Sequence, residues 1–147
     1  MSGISNHYIE SILQPTCQDF RGVFSSNNIP KYLQNSVKFS IVCNLSKIGE
    51  LGSHFITIIS QPNYVAYIDS LGLPCSVLEI NKFLHKLEKP IYFNKTQIQD
   101  TSSTFCGFFC ILFVLHFSIS STPIKFDNED LCLNDAFCIE QICEILK

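Results

Sequence analysis

The sequence predicts an α+β fold in which a mixed or antiparallel central sheet is flanked by helices. Segments rich in β-branched and aromatic residues occupy the middle of the chain, segments with helical spacing surround them, and the two kinds do not alternate regularly. The chain has 147 residues, of which 46% are hydrophobic, which suits one core. We therefore expect residues 1–147 to form a single domain.

The first predicted element is a short helix near the beginning of the chain. Ser5 lies between Ile4 and Ile9 in the arrangement of an N-cap with a hydrophobic staple. This helix is expected to continue to about Leu13. Residues 16–36 are predicted to form a loop.

Three strands, followed by a shorter one, are predicted in the middle of the chain. Residues 37–45, 54–60 and 64–68 are rich in the side chains that favour strands. The Gln-Pro-Asn sequence at 61–63 supplies a turn, so the second and third of these strands should form a hairpin. Residues 91–93 begin another strand.

Three further helices are predicted after the hairpin. Apolar residues recur at helical spacing over 77–87, and Pro90 stops that helix. The apolar run 105–115 is too short to cross a bilayer, so it predicts a buried helix and no membrane segment. The last helix is predicted to be amphipathic, with an apolar face formed by Ile139, Ile142, Cys143 and Leu146.

Charge and composition exclude some classes of function. The formal net charge is −3, and Arg21 is the single arginine, which argues against strong phosphate binding. Lys82, Lys86 and Lys89, with Lys95 beyond them, form a small basic strip that DNA would contact only weakly. A solvated helix face is the favoured interpretation of these lysines.

The eight cysteines do not predict a disulfide framework or a zinc site. Residues 1–7 have neither a basic nor an apolar region of the kind found in signal peptides, so we expect reduced thiols. No C-x-x-C pair is present, which argues against zinc. Most of these thiols are expected to pack in the core.

One thiol has a physical reason to be reactive. Cys106 stands where the polar, cap-forming residues 99–104 give way to the apolar run, which places it at a helix N-terminus. Backbone N–H groups and the positive end of the helix dipole favour a thiolate there. Cys110 lies one turn deeper in the apolar helix, where burial raises a thiol pKa, so we interpret it as a packing residue.

The predicted hairpin offers a base and an orienting acid. With a tight turn about Gln61 and Pro62, His54 stands directly opposite Asp69 on one face of the hairpin. With Pro62 as the first central residue of the turn, Asp69 lies one pair along on the same face. A three-residue loop would place it on the other face. A carboxylate beside an imidazole fixes its tautomer and raises its basicity.

A glutamine amide is the fourth candidate. Gln99 precedes Cys106 by seven residues, and its amide together with the Cys106 backbone N–H would supply two donors for an oxyanion. Gln97 offers the same chemistry two positions away. Spacing alone leaves both glutamines open.

These motifs together resemble the adenovirus-type cysteine endopeptidases, the adenain-like family of adenoviruses and of Maverick or Polinton elements. The resemblance rests on Gly52-x-His54-Phe55, Asp69-Ser70, Gln99, and Cys106-Gly107-x-x-Cys110 in that order, with Cys17-x-x-Phe20-x-Gly22-Val23-Phe24 upstream. It covers roughly residues 5–120. It implies the fold shared by adenain and the SUMO proteases, with the catalytic cysteine at the N-terminus of a buried helix.

The resemblance also implies roles and a reaction. Cys106 would be the nucleophile, His54 the general base and acid, Asp69 the residue that orients it, and Gln99 the oxyanion donor, favoured over Gln97 by this match alone. The reaction would be hydrolysis of viral capsid or core precursor proteins at Gly-containing sites, in the virion and the host cell nucleus. We expect a monomer.

This chain departs from the family pattern at three places. Phe55 stands where a Trp commonly follows the catalytic histidine, and Asp69 replaces the Glu of the mammalian adenovirus enzymes. Adenain is activated by a viral peptide, through a disulfide, and by DNA. The resemblance thus allows a viral peptide and DNA as activators, but no cysteine stands at the corresponding place near Glu88 and the net charge is −3, so the sequence itself indicates no required cofactor.

Other functions share parts of this pattern. An isopeptidase or deubiquitinase acting on ubiquitin-like tails has the same His, Asp, Gln, Cys order. An acetyltransferase of the same clan needs an insertion for which this chain has little room. A binding or virion structural protein on an inactive protease fold is a third alternative, against which the four catalytic residue types argue.

Overall fold

A computed structural model of the chain describes residues 3–46, 54–120 and 124–147. In these ranges it contains five strands in one mixed sheet and four α-helices, so the α+β class is confirmed. The strands are β1 (Phe20–Ser25), β2 (Phe39–Asn44), β3 (Phe55–Gln61), β4 (Tyr64–Ile68) and β5 (Ile91–Phe93). The helices are α1 (Asn6–Leu13), α2 (Leu78–Lys86), α3 (Cys106–Ser120) and α4 (Cys132–Ile145).

The sheet has the strand order β1-β2-β3-β4-β5. The three central strands pair antiparallel, while each edge strand pairs parallel to its neighbour. As a result, the C-terminal ends of β4 and β5 lie beside the N-terminal end of β3, along one boundary of the sheet that we call the site edge. Side chains that follow β4 and β5 therefore meet side chains that precede β3.

The register of the β3–β4 hairpin follows the second of the two same-face predictions. Thr57 pairs with Ile68 and Gln61 pairs with Tyr64, which leaves Pro62 and Asn63 as the central residues of the turn. Proline suits the first central position because its φ is already fixed near the value that the turn needs.

The sheet separates two apolar clusters. One face packs against α1, α3 and α4, and α3 is so apolar that its middle is buried on all sides, from Phe109 to Leu115. The other face is covered by α2 through Ile80, Phe83 and Leu84. Burial on both faces explains why every residue of β2 is buried.

Helix α1 begins as predicted and lies against the start of α3. The Ser5 hydroxyl accepts a hydrogen bond from the Tyr8 N–H at 3.1 Å, so Ser5 is the N-cap. Gly107 permits the close approach of the preceding segment, since a Cβ at Gly107 would lie 2.7 Å from Ile4 Cγ1. This contact joins the N-terminal segment to the first turn of α3.

The prediction of a loop over residues 16–36 was wrong. Residues 16–36 are not a loop throughout, because they contain β1 and a 3-10 turn over Lys31–Asn35. In β1 the register shifts between Phe20 and Val23, and Gly22 has a φ of 134°. Pairing with β2 stabilises this irregular strand. Because of the irregularity, the sequence of β1 lacks the alternation of apolar and polar residues by which a strand is predicted.

The buried face of α4 also differs from the predicted one. Its buried residues are Asn134, Cys138 and Ile142, whereas Cys143 and Leu146 are exposed. The helix is turned so that a polar side chain, Asn134, reaches the neighbouring loop. Apolar periodicity cannot detect a face that is set by a polar contact.

Lys89 does not belong to a solvated basic strip. It follows α2, and its Nζ donates hydrogen bonds to the carbonyls of Val37 and Gln61, at 3.0 and 2.7 Å, and to the Ser60 hydroxyl at 2.8 Å. This ammonium therefore links the segment before β2 to the end of β3. Within the described ranges, no helix is long and apolar enough to cross a membrane.

We predict that Gly107→Ala lowers the free energy of unfolding by about 1–3 kcal/mol, because the new methyl group overlaps Ile4. The measurement is urea denaturation of the single variant and of the double variant with Ile4→Ala. In the Ile4→Ala background the same change should cost nothing or stabilise the helix, since alanine favours helices over glycine. Equal costs in both backgrounds would contradict this contact.

Candidate active site

The four predicted site residues lie around the site edge and the start of α3. His54 directly precedes β3, and the ladder to β2 extends to it, because its carbonyl accepts a hydrogen bond from the Leu45 N–H at 2.9 Å. Asp69 directly follows β4, and Cys106 is the first residue of α3. Gly52 and Ser53, which precede the histidine in the motif, lie outside the described residues.

His54 and Asp69 form a direct hydrogen-bonded pair. His54 Nε2 lies 2.7 Å from Asp69 Oδ1, and the histidine side chain is 14% exposed while that of Asp69 is 2% exposed. A bond this short between groups of opposite charge is among the strongest that side chains make. The structure thus brings together the base and the acid that the hairpin predicts.

The buried carboxylate is supported by its surroundings. Asp69 Oδ1 also accepts a hydrogen bond from the Leu71 N–H at 2.8 Å. Asn94, the residue after β5, holds the Asp69 backbone on both sides. Its Oδ1 accepts from the Asp69 N–H at 2.7 Å and its Nδ2 donates to the Asp69 carbonyl at 2.6 Å. The acid is therefore fixed in place from two strand ends.

Three donor groups lower the pKa of the Cys106 thiol. Although its partial burial opposes ionisation, hydrogen bonds from the His54 imidazole and from the backbone N–H groups of Phe55 and Gly107 lower the pKa of Cys106. Since His54 Nε2 is bonded to Asp69, the remaining ring nitrogen, Nδ1, is the one available to the sulfur. The thiolate therefore lies where α3 and β3 begin side by side.

His54 shows the complementary change. Burial acts to lower its pKa, but the hydrogen bonds and negative charges of Asp69 and Cys106 outweigh burial and raise the pKa of His54 to about 9. A histidine with a raised pKa beside a cysteine with a lowered one favours the charged pair, thiolate and imidazolium, over the neutral pair. Such a pair holds a nucleophile and a proton donor at the same time.

Gln99 is buried and fully oriented, unlike Gln97. Its Nε2 donates to the Ser103 carbonyl at 2.9 Å, and its Oε1 accepts from the Ser70 hydroxyl at 2.5 Å. Within the described part of the chain, its second Nε2 hydrogen has no acceptor. Gln97 is exposed, and its amide donates to the Gln99 carbonyl at 2.9 Å. Thus Gln99 has a fixed amide with a donor to spare.

Cys110 differs from Cys106 although it lies on the same helix. It is 1% exposed, and burial raises its pKa well above the ordinary value. The structure therefore supports the interpretation of Cys110 as a packing residue. In the described ranges, no group of His, Cys, Asp and Glu side chains is arranged to hold a metal ion.

Sequence reasoning assigned no role to Ser70, Asn94 or Asp135, although all three contact the site or its loops. Ser70 was present in the Asp69-Ser70 motif, and Asn94 follows a predicted strand, where polar residues of neighbouring parallel strands meet. Those positions were a usable signal. Asp135 had none, because its partner is Ser103, which is distant in sequence.

No protein-family model matches this chain, and no curated protein matches it.

Proposed function

We propose that this protein is a cysteine peptidase that hydrolyses peptide bonds with Cys106 as the nucleophile. The observation that supports this most is the 2.7 Å bond between His54 Nε2 and the buried Asp69 carboxylate, beside a Cys106 thiol whose pKa His54 lowers. A thiol, an imidazole and a buried carboxylate in series are the parts that nucleophilic acyl transfer needs.

The reaction has two stages. The Cys106 thiolate attacks the scissile carbonyl carbon, and the carbonyl π electrons move to oxygen to give a tetrahedral oxyanion. When this intermediate collapses, the C–N bond breaks, protonated His54 gives its proton to the leaving amine, and a thioester remains. Neutral His54 then takes a proton from water, which attacks the thioester and releases the acid and the thiolate.

The oxyanion would be stabilised by two donors. The free Nε2 hydrogen of Gln99 is one, and the backbone N–H of Cys106, at the positive end of α3, is the other. Within the described residues this N–H has no acceptor of its own. The fixed orientation of the Gln99 amide supports this role, because a donor that is already oriented needs little reorganisation as charge develops.

For the substrate, we propose an endopeptidase that cleaves viral capsid or core precursors at Gly-containing sites in the virion and the host nucleus. This specificity rests on the resemblance of the His54, Asp69, Gln99, Cys106 order to adenain-like enzymes. Neither an activating peptide nor DNA is included in the proposal. The position near Glu88 offers no cysteine to such a peptide, and the net charge of −3 argues against strong DNA binding.

A second candidate is an isopeptidase that acts on ubiquitin-like tails. The specific feature that favours it is Asp69, since the SUMO proteases have Asp at this position whereas mammalian adenovirus enzymes have Glu. Both candidates share the chemistry described above and differ only in the leaving group. They are separated by the choice of substrate.

We predict that the protein cleaves peptides with a long aliphatic residue two or three positions ahead of a Gly at the cut. Cys106→Ala should abolish cleavage because no thiolate remains. Cys110→Ala is the matched control, and it should retain kcat within about threefold because Cys110 touches no reacting atom. The measurement is mass spectrometry of the peptide products.

The same assay separates the alternatives. Hydrolysis of fluorogenic ubiquitin-like conjugates, without cleavage of the peptides, would replace the endopeptidase by the isopeptidase. No turnover of either substrate, together with a Cys106 that iodoacetamide does not alkylate at neutral pH, would leave a binding protein as the better description.

We also predict a bell-shaped pH profile of kcat/KM. The midpoint of the acid limb should lie at a lower pH than the ordinary pKa of a cysteine, because the pKa of Cys106 is lowered. Activity should be lost again near pH 9, where His54 gives up the proton that the leaving amine needs. The measurement is initial rates from pH 5 to 10.

Asp69→Asn tests the origin of the basic limb. Without the carboxylate the pKa of His54 should fall, so this limb should move to lower pH and kcat/KM should drop by about 10²–10⁴-fold. Asp19→Asn is the control, since Asp19 pairs with Lys38 at the surface and should leave the profile unchanged. A basic limb that stays near pH 9 in Asp69→Asn would contradict the assignment.

A further inference from the structure

A continuous chain of hydrogen bonds encloses the Gln99 side chain. It runs from Ser70 through the Gln99 amide to Ser103, and from Ser103 to Asp135 on α4. We call these four residues the amide clamp. None of its members other than Gln99 takes part in the proposed reaction.

The chemistry of the clamp permits one orientation of the amide. The Ser103 carbonyl only accepts hydrogen bonds, so the group that faces it must be Nε2 and not Oε1. The Ser70 hydroxyl then donates to Oε1 on the other side, and it is 2% exposed, so water does not replace it. A flipped amide would place two acceptors against each other at Ser103.

Ser70 also fixes the backbone of the loop that holds Gln99. Its carbonyl accepts hydrogen bonds from the N–H groups of Ile98 and Gln99, at 2.9 and 3.0 Å. Gly72, with a φ of 70°, brings the turn after Asp69 so close to this loop that a Cβ would lie 2.8 Å from the Gln97 nitrogen. The acid and the oxyanion donor therefore share one frame.

Helix α4 holds the other side of the clamp. The Ser103 hydroxyl donates to the Asp135 carboxylate, at 2.8 Å from Oδ2 and 3.0 Å from Oδ1. The same hydroxyl accepts from the Phe105 N–H at 3.1 Å, next to the nucleophile. Asn134, buried beside Asp135, donates to the Ile98 carbonyl at 2.7 Å. This explains why α4 turns a polar face inward.

We propose that Ser70 and Asp135 are positioning residues that orient the Gln99 amide toward the oxyanion. This inference rests on the proposed function, because it assigns a purpose to the donor of that same site. Ser70 donates a hydrogen bond to the amide oxygen of Gln99. Asp135 holds Ser103, whose backbone carbonyl accepts one of the two Nε2 hydrogens. With the amide held on both sides, the direction of the second Nε2 hydrogen is also fixed.

The experiment compares two reactions of Cys106 that differ in whether they form an oxyanion. p-Nitrophenyl acetate acylates the thiol through a tetrahedral oxyanion, whereas iodoacetamide alkylates it by displacement without one. Stopped-flow bursts of p-nitrophenol, corrected for the rate in Cys106→Ala, give the first rate. Mass spectrometry of the Cys106 peptide gives the second.

Ser70→Ala should slow acylation by about tenfold or more, while alkylation changes by less than about twofold. Combined with Gln99→Ala, it should add less than about twofold to the loss that Gln99→Ala causes alone, because no amide remains to be aimed. Ser102→Ala, at an exposed serine of the same loop, is the matched control and should change neither rate. Asp135→Ala, at a half-exposed residue, gives a second test if Ser70→Ala does not fold.

Other results would overturn the inference. Equal losses in acylation and alkylation would show a general disturbance of the thiolate, and additive losses in the double variant would show that Ser70 acts independently of Gln99. If the wild type reacts with neither reagent, the proposed function fails. The clamp is then judged by the Gln99 side-chain amide signals in ¹⁵N–¹H spectra, which Ser70→Ala must shift and Ser102→Ala must not.

Discussion

The hydrogen bond between His54 and Asp69 is the interaction on which the rest of the site depends. Burial alone would lower the pKa of the imidazole and leave Cys106 as a neutral thiol. The buried carboxylate reverses this balance for His54, and a protonated His54 favours ionisation of Cys106. A buried charge in turn needs partners, which Leu71 and Asn94 supply. One short contact thus orients the imidazole and favours the charged forms of His54 and Cys106.

The mixed sheet explains why these partners come together. Because β4 and β5 are parallel and β3 is antiparallel to β4, the residues after β4 and β5 lie beside the residue before β3. Asp69, Asn94 and His54 occupy those three positions. An all-antiparallel sheet would send the end of β5 to the opposite edge, and Asn94 could not then hold the acid.

Local features of the fold were predictable from the sequence, and features set by distant contacts were not. The hairpin and the Ser5 cap depend on neighbouring residues, so their residue types predict them. By contrast, β1 is stabilised by pairing with β2, and α4 is oriented by Asn134, which bonds the Ile98 carbonyl. The candidate site divides in the same way, since its motif residues and the positions of Ser70 and Asn94 carried a signal, whereas Asp135, whose partner is the distant Ser103, carried none.

The difference between Cys106 and Cys110 shows what a helix terminus does and does not provide. Both thiols lie on the same side of α3, one turn apart. The helix dipole favours a thiolate only within the first turn, where Cys106 lies. Position at the start gives Cys106 the Gly107 N–H, but two of its three donors come from outside the helix, His54 and Phe55. Cys110 has full burial instead, which raises its pKa. The lowered pKa of Cys106 is therefore a property of the junction between α3 and β3, and the helix N-terminus contributes only one part of it.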